Sequence, residues 1–194
     1  MIKKPRMAKG DPIFLQTMER ARSEILVAHL RLGNVGGVCE QNCHPFLMHS
    51  MGADFVFAHN GTVRGNAHPT DGTDSEAVFH ELLREIEIYT NSGQVHGVYP
   101  AILHGIKTVF KNYGNSVRLN FLLSDGSLLY AFNHYPGKPI FLLRREKDYG
   151  GAILISTQKL SHENWVMIRP DSLLVLSKGR VLVLSDQLEE RSRA

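Results

Sequence analysis

The order of predicted elements in this chain of 194 residues favours an α+β fold. After a short N-terminal helix, two short apolar segments are followed by two segments with helical periodicity, and a run of short apolar segments separated by turn residues fills the remainder. Strands and helices are therefore grouped along the sequence, whereas a parallel α/β fold would alternate them. Both early strands and several later ones are apolar nearly throughout, which is typical of sheets covered on both faces.

The composition narrows the class of protein before any motif is considered. A hydrophobic fraction of 43% in 194 residues suits one domain, which we place over residues 1–194. The net charge of +3 comes from dispersed Lys and Arg, and the chain has one Trp, so no nucleic-acid surface is indicated. Because the chain has no apolar run of about 18 residues and no signal-type segment, we expect a cytoplasmic protein without a membrane span.

The N-terminal third is predicted to hold one helix and two buried strands. Asp11 is expected to cap the helix, with Pro12 at its first position. The two apolar runs Ile25–Leu30 and Asp54–Ala58 are predicted strands, with a Gly- and Asn-rich loop at residues 33–45 between them. His59-Asn60-Gly61 follows the second run and has the composition of a turn.

Two amphipathic helices are predicted next, followed by six strands. In the first helix, Thr73 and Glu76 make a capping box, and the apolar face repeats at helical spacing as far as Glu87. The second helix is predicted over Pro100–Tyr113. The six predicted strands are Val117–Leu123, Leu128–Phe132, Ile140–Leu143, Ile153–Ser156, Leu173–Leu176 and Val181–Leu184. The charged tail from Asp186 onward is expected to fray.

Four short motifs of chemically useful residues lie at the ends of these elements. They are His29-Leu30-Arg31, Asn42-Cys43-His44-Pro45-Phe46, Ala58-His59-Asn60-Gly61 and Thr73-Asp74-Ser75-Glu76. Each has an ordinary structural interpretation when taken alone. Arg31 could be a solvated strand end, Asn60-Gly61 a turn, Asp74 a carboxylate placed to favour the helix dipole, and the histidines polar turn residues.

Taken together, the motifs point to the recognition of an amino acid. The planar guanidinium of Arg31 suits a carboxylate, and Asp74 could receive an ammonium group. The side-chain amide of Asn60 beside the backbone N–H of Gly61 suits an oxyanion hole. These groups would hold both ends of an amino acid and stabilise an oxyanion on its side chain, as acyl transfer from glutamine or a γ-glutamyl amide requires.

The four motifs in this order resemble the class II glutamine amidotransferases, especially the stand-alone bacterial type, which belong to the N-terminal-nucleophile hydrolases. The resemblance is clearest over 11–87 and weaker through the strands to about Val181, within a family-like region at 11–185; Ser124-Asp125-Gly126 and Ser156–Trp165 contribute to it. It implies a four-layer αββα sandwich. It also implies that Arg31 binds the α-carboxylate of glutamine, Asp74 its α-amino group, and Asn60 with Gly61 the oxyanion.

The family's nucleophile is an N-terminal cysteine, and this sequence begins Met1-Ile2-Lys3. Cys39 and Cys43 lie downstream of the His29-Leu30-Arg31 motif, where the family does not place its nucleophile. The resemblance therefore implies that the domain is truncated at its start and lacks the catalytic nucleophile. A truncated sheet would expose apolar surface, so we expect the chain alone to aggregate.

Three functional hypotheses remain open from the sequence. The full-length form would hydrolyse the side-chain amide of glutamine or a γ-glutamyl amide, with or without an ammonia-accepting partner protein, and would need no cofactor. Alternatively, the chain is a non-catalytic glutamine-binding module or a degenerate fragment. A third, weaker hypothesis is a zinc site, since thiolate and imidazole ligands are available at Cys39, Cys43, His44 and His49.

Overall fold

The computed structural model describes residues 1–31, 37–63, 73–93, 97–114, 117–147 and 150–185. Within these ranges the chain forms three helices and nine strands. The helices are Pro12–Arg20 (α1), Asp74–Asn91 (α2) and Val98–Tyr113 (α3). The strands are Phe46–Ser50 (β1), Ala53–Thr62 (β2), Arg118–Ser124 (β3), Leu129–Asn133 (β4), Phe141–Arg145 (β5), Ala152–Ser156 (β6), Val166–Met167 (β7), Ser172–Ser177 (β8) and Arg180–Leu184 (β9).

The strands form two antiparallel sheets, and the fold is an α+β sandwich, as predicted. The larger sheet has six strands in the order β1-β2-β3-β4-β8-β9, and the smaller has three in the order β6-β5-β7. The hairpin between β3 and β4 turns where the Asp125-Gly126 pair predicts it. Gly126 has a φ of +88°, and the Asp125 carboxylate accepts the backbone N–H groups of Ser127 and Leu128.

The larger of two apolar cores lies between α2, α3 and one face of the six-stranded sheet. Phe79 of α2 stacks on Phe57 of β2 with ring centroids 4.9 Å apart. Gly105 lets α3 approach α2 closely, because a Cβ there would lie 2.7 Å from Cδ1 of Leu82. The helical pair therefore forms one complete outer layer of the sandwich.

The second core joins the two sheets. Ala131, Leu174 and Leu176 of the large sheet meet Leu142 of β5, together with Ile140 just before that strand. The described residues thus supply three layers, namely helices, large sheet and small sheet. Since α1 buries none of its residues, it adds no packed layer on the smaller sheet. No described helix is long and apolar enough to span a membrane.

The predicted caps of α1 and α2 are confirmed. The Asp11 carboxylate accepts the N–H groups of Ile13 and Phe14, and the Thr73 hydroxyl accepts that of Glu76 at 3.2 Å. Each cap satisfies backbone donors that the first turn of a helix leaves without intrahelical partners. Helix α2 continues to Asn91, beyond the predicted end at Glu87.

Two predictions for the first half of the chain are wrong. Residues 25–30 are not a buried strand. Leu26 and Leu30 are 58% and 71% exposed, and no described strand pairs with this segment, so it lacks the ladder that defines a strand. His59-Asn60-Gly61 is not a turn, because pairing with β3 carries β2 on to Thr62.

The sequence also failed to predict two strands. β1 has the mixed sequence FLMHS, and β7 has only two residues, so neither carries a readable pattern. The remaining predicted helices and strands are confirmed to within a few residues. The tail from Asp186, a further predicted loop at 68–72 and residues 33–36 of the predicted loop at 33–45 lie outside the described residues.

The packing of α2 on the sheet leads to a stability prediction. Phe79→Ala removes a fully buried ring and should lower the free energy of unfolding by about 3–5 kcal/mol, as large-to-small core substitutions do. Ile88→Ala on the same helix is the matched control, because Ile88 is 51% exposed and its loss should cost far less. Urea unfolding measures both, and equal losses in the two variants would contradict the described orientation of α2.

Candidate functional site

A cavity of about 620 Å³ lies where the end of β2, the first turn of α2, residues 28–31 and an end of the small sheet meet. Arg31, Asn60, Gly61 and Asp74, the four residues singled out in the sequence, all line it. Ser156, Thr157, Gln158 and Leu160, from the later family-like stretch, line it as well. The fold therefore brings motifs far apart in sequence to one concave surface, while Asp125-Gly126 forms a hairpin turn and is not among its lining residues.

The alternation of β2 sends its residues to opposite faces of the large sheet. Phe57 belongs to the core under the helices, so His59 and Gly61 share that face. Asn60 lies on the other face, directly opposite Asn120 of β3. Asn120 is buried and fixed at both ends of its amide, since its Nδ2–H donates to the Lys138 carbonyl at 2.6 Å and its Oδ1 accepts the His134 N–H at 2.9 Å. The cross-strand neighbour of Asn60 is thus a side chain with a fixed orientation.

Gly61 is required by the close approach of β3. A Cβ at this position would lie 1.7 Å from the carbonyl oxygen of Arg118 and 2.6 Å from Nε2 of His59. No side chain can be placed there without separating the two strands. A bare backbone beside Asn60 is what an oxyanion hole built from one side-chain amide and one peptide N–H needs.

Asp74 occupies the first position of α2, where the helix dipole favours its charge. Its Oδ2 accepts the Val63 N–H and its Oδ1 accepts the Ser75 N–H, both at 2.9 Å. These bonds join the end of β2 to the start of α2 and fix the carboxylate in orientation. Oδ1 also lies 3.4 Å from the Ser75 hydroxyl, whereas Oδ2 retains a second lone pair that could accept from a ligand.

Three histidines lie buried or half-buried beside these residues. His59 is 3% exposed, with its Nδ1 2.9 Å from the Ser75 hydroxyl and its Nε2 3.0 Å from the Arg118 carbonyl. Because a carbonyl can only accept, Nε2 carries the proton and Nδ1 accepts from Ser75. Burial lowers the pKa of His59, which keeps the ring neutral.

The backbone of His59 is held by the side chains of the other two histidines. Its N–H donates to Nδ1 of His44 at 3.0 Å, and its carbonyl accepts from Nε2 of His29 at 3.1 Å. The His29 and His44 rings stack with centroids 4.2 Å apart. Burial lowers the pKa of His29 to about 4 and that of His44 to about 2, so both rings are neutral near pH 7.

The interpretation as polar turn residues is wrong for His29 and His59, whereas His44 does lie at a bend, although it is buried. His29 lies in a segment without regular structure, and His59 is a buried residue of β2. His49, named above as a possible zinc ligand, is exposed in β1 and pairs with Asp54. A sequence signal did exist, since three of the four motifs contain one histidine each. Their convergence became visible only with the strand pairing.

The residues proposed as zinc ligands do not assemble in the described structure. Cys43 donates its thiol to the Cys39 carbonyl at 3.3 Å, and Nδ1 of His44 is occupied by the His59 N–H. Among the described residues, no group of three or more His, Cys, Asp and Glu side chains could hold a metal. Both cysteines line a second cavity, of about 800 Å³, beside the N-terminal segment.

The neutral histidines predict a pH dependence of stability. The unfolded chain takes up a proton at His29 below pH about 6.5, whereas the folded chain resists protonation down to about 4. The unfolded state therefore binds more protons, and the free energy of unfolding should fall as pH drops through that window. His29→Gln keeps an amide donor but does not titrate, so it should flatten the slope by up to about 1.4 kcal/mol per pH unit.

Urea unfolding between pH 7 and pH 4.5 measures these slopes. His80→Gln, at an exposed position of α2, is the control and should leave the slope unchanged. An identical slope in wild type and His29→Gln would contradict the neutral, buried state of His29.

Comparison with known proteins places this chain in a family. The family described as class-II glutamine amidotransferases matches residues 2–154. An uncharacterized protein of Methanocaldococcus jannaschii is 27% identical over 88% of this chain and 55% of its own length. YafJ of Escherichia coli, whose name assigns it to the glutamine amidotransferases, is 30% identical over 67% of this chain and 52% of its own. The chain thus spans about half the length of these curated relatives.

Solved structures show the same fold. A class-II domain protein of Silicibacter pomeroyi superposes with a TM-score of 0.66 at 21% identity, covering 95% of this chain and 84% of that one. A predicted glutamine amidotransferase of Pseudomonas aeruginosa gives a TM-score of 0.56 at 23% identity over 74% of this chain and 65% of that one. With most of its length matched by the family, this chain belongs to the class-II glutamine amidotransferases.

Proposed function

We propose that this domain binds glutamine, or a γ-glutamyl amide, by its amino-acid end in the 620 Å³ cavity. The observation that carries the proposal is that Arg31, Asp74, Asn60 and Gly61 line this one cavity, although the sequence spreads them over three motifs. An arginine and an aspartate match the two charges of an amino acid. The names of relatives such as YafJ support glutamine as the ligand.

Each residue has a distinct role in the proposal. Arg31 makes charge-assisted hydrogen bonds to the α-carboxylate, and Asp74 accepts from the α-ammonium through its remaining lone pairs. The side chain of the ligand then runs toward Asn60 and Gly61, whose N–H groups receive the amide oxygen. Those donors gain strength as negative charge develops on that oxygen, which is how an oxyanion hole accelerates acyl transfer.

Amide cleavage requires a nucleophile as well as this binding site. In the proposed reaction a cysteine thiolate attacks the side-chain amide carbon, ammonia leaves, and water hydrolyses the thioester to glutamate. No cysteine is among the described residues that line the cavity. We therefore assign ligand binding to the described residues, and the cleavage step to the N-terminal cysteine that the class uses. Ammonia is then released or accepted by a partner protein.

The role of Arg31 can be tested with ligand analogues as well as a variant. Wild type should bind L-glutamine more tightly than glutamine α-amide, in which the carboxylate is replaced by an uncharged group. Arg31→Ala should weaken glutamine binding roughly ten- to a hundredfold, the range for a charge-assisted hydrogen bond, and leave binding of the α-amide nearly unchanged. Isothermal calorimetry measures the affinities of both ligands for both proteins.

The design separates binding from folding, because a misfolded variant would lose both ligands. Arg84→Ala, which removes an exposed arginine of α2 at a distance from the cavity lining, is the matched control. If wild type gives no heat of binding with glutamine at millimolar concentration, the proposal is wrong. Ammonia release assayed in parallel separates an enzyme from a binding module, since binding without release identifies the latter.

A further inference from the structure

Strand β2 is longer than its neighbour β1, and the excess falls at the candidate site. The β1–β2 ladder ends at the pair Phe46↔Phe57, whereas β2 continues to Thr62 alongside β3. In the same register His59 would pair with residue 44, but Pro45, which has no N–H, stands where β1 would have to continue. The edge of β2 beyond Phe57 therefore needs other hydrogen-bond partners.

Two imidazoles supply these partners. A strand residue in an antiparallel ladder presents its N–H and its carbonyl to the same neighbour. For His59, the N–H goes to Nδ1 of His44 and the carbonyl goes to Nε2 of His29. The stacked rings thus offer one acceptor and one donor, as a paired strand residue would.

We propose that His29 and His44 act as an imidazole clamp, in place of a strand, and position Asn60 and Gly61 for the substrate amide oxygen. This proposal rests on the glutamine site proposed above. Gly61 lies two residues from His59, so its N–H is directed to the same edge of β2 that the clamp occupies. Fixing the N–H and the carbonyl of His59 therefore fixes the direction of the Gly61 N–H and the position of the Asn60 backbone.

The clamp is also connected to the ammonium end of the site. The ring of His59 accepts from Ser75, and the N–H of Ser75 donates to the Asp74 carboxylate. One hydrogen-bonded series therefore runs from His29 and His44 through His59 to Asp74. The oxyanion-binding end and the ammonium-binding end of the cavity are held at a set separation, which fits a ligand of one length.

Substitutions that keep or remove a single hydrogen-bonding atom test the clamp. Asn can present an oxygen near the position of Nδ1 in His44, and Gln can present an N–H near the position of Nε2 in His29. His44→Asn and His29→Gln should bind glutamine as wild type does, whereas His44→Leu and His29→Leu should bind roughly three- to tenfold more weakly, the range for one neutral hydrogen bond. The control, His80→Gln, changes an exposed histidine of α2.

A second measurement reports on position directly. In ¹⁵N NMR spectra the Gly61 backbone amide and the Asn60 side-chain amide should shift with glutamine in wild type, His44→Asn and His29→Gln, and lose that shift in the Leu variants. Thermal melting is followed alongside. Leu variants that melt earlier yet keep wild-type affinity and wild-type Gly61 signals would show a merely structural role and overturn the proposal.

Two further outcomes are decisive even when ligand binding or folding fails. If wild type binds no glutamine, the proposed function fails, and the clamp is judged on the free protein. Loss of His59 amide protection in His44→Leu and its return in His44→Asn then support it, and unchanged protection in His44→Leu overturns it. If the Leu variants do not fold, imidazole ¹⁵N shifts of wild type decide. Neutral rings protonated at Nε2 support the clamp, and a proton on Nδ1 of His44 overturns it.

Discussion

The antiparallel ladder between β2 and β3 is the interaction on which the candidate site depends. It runs from Val56↔Ser124 to Thr62↔Arg118 and carries β2 past the end of β1. Without it, His59-Asn60-Gly61 would be free to turn, as its composition suggests. With it, His59 and Gly61 face the helices while Asn60 faces the smaller sheet, so one tripeptide serves two sides of the large sheet at once.

The ladder also restricts which residue types can occupy the positions next to it. Gly61 has to lack a side chain, because the Arg118 carbonyl occupies the place of a Cβ. The same carbonyl accepts from Nε2 of His59, which sets the tautomer of that ring and leaves its Nδ1 to accept from Ser75. Ser75 follows Asp74 at the start of α2, so a strand pairing defines the position of a helix terminus through two hydrogen bonds. The positions of the residues that line the cavity thus follow from the pairing of the strands.

Those relations explain what the sequence could and could not predict. Thr73, Asp11 and Asp125 act within a few residues of themselves, and their caps and turn were predictable because local chemistry decides them. The convergence of Arg31 and Asp74 on one cavity was predictable as a pattern of complementary charges. The strand at His59–Gly61 was not predictable, because its stability comes from a partner some sixty residues away, and long-range pairing overrides local turn composition.

Histidine suits the edge of β2 better than most other polar side chains. The N–H of His59 needs an acceptor and its carbonyl needs a donor, and a neutral imidazole offers either, according to which nitrogen faces the backbone. The flat rings of His29 and His44 can also stack on each other while they form these hydrogen bonds. A lysine could donate but not accept, and its burial as a charge would be costly. Burial keeps the pKa of both imidazoles low, and the same burial that creates the need for partners maintains the neutral form that can provide them.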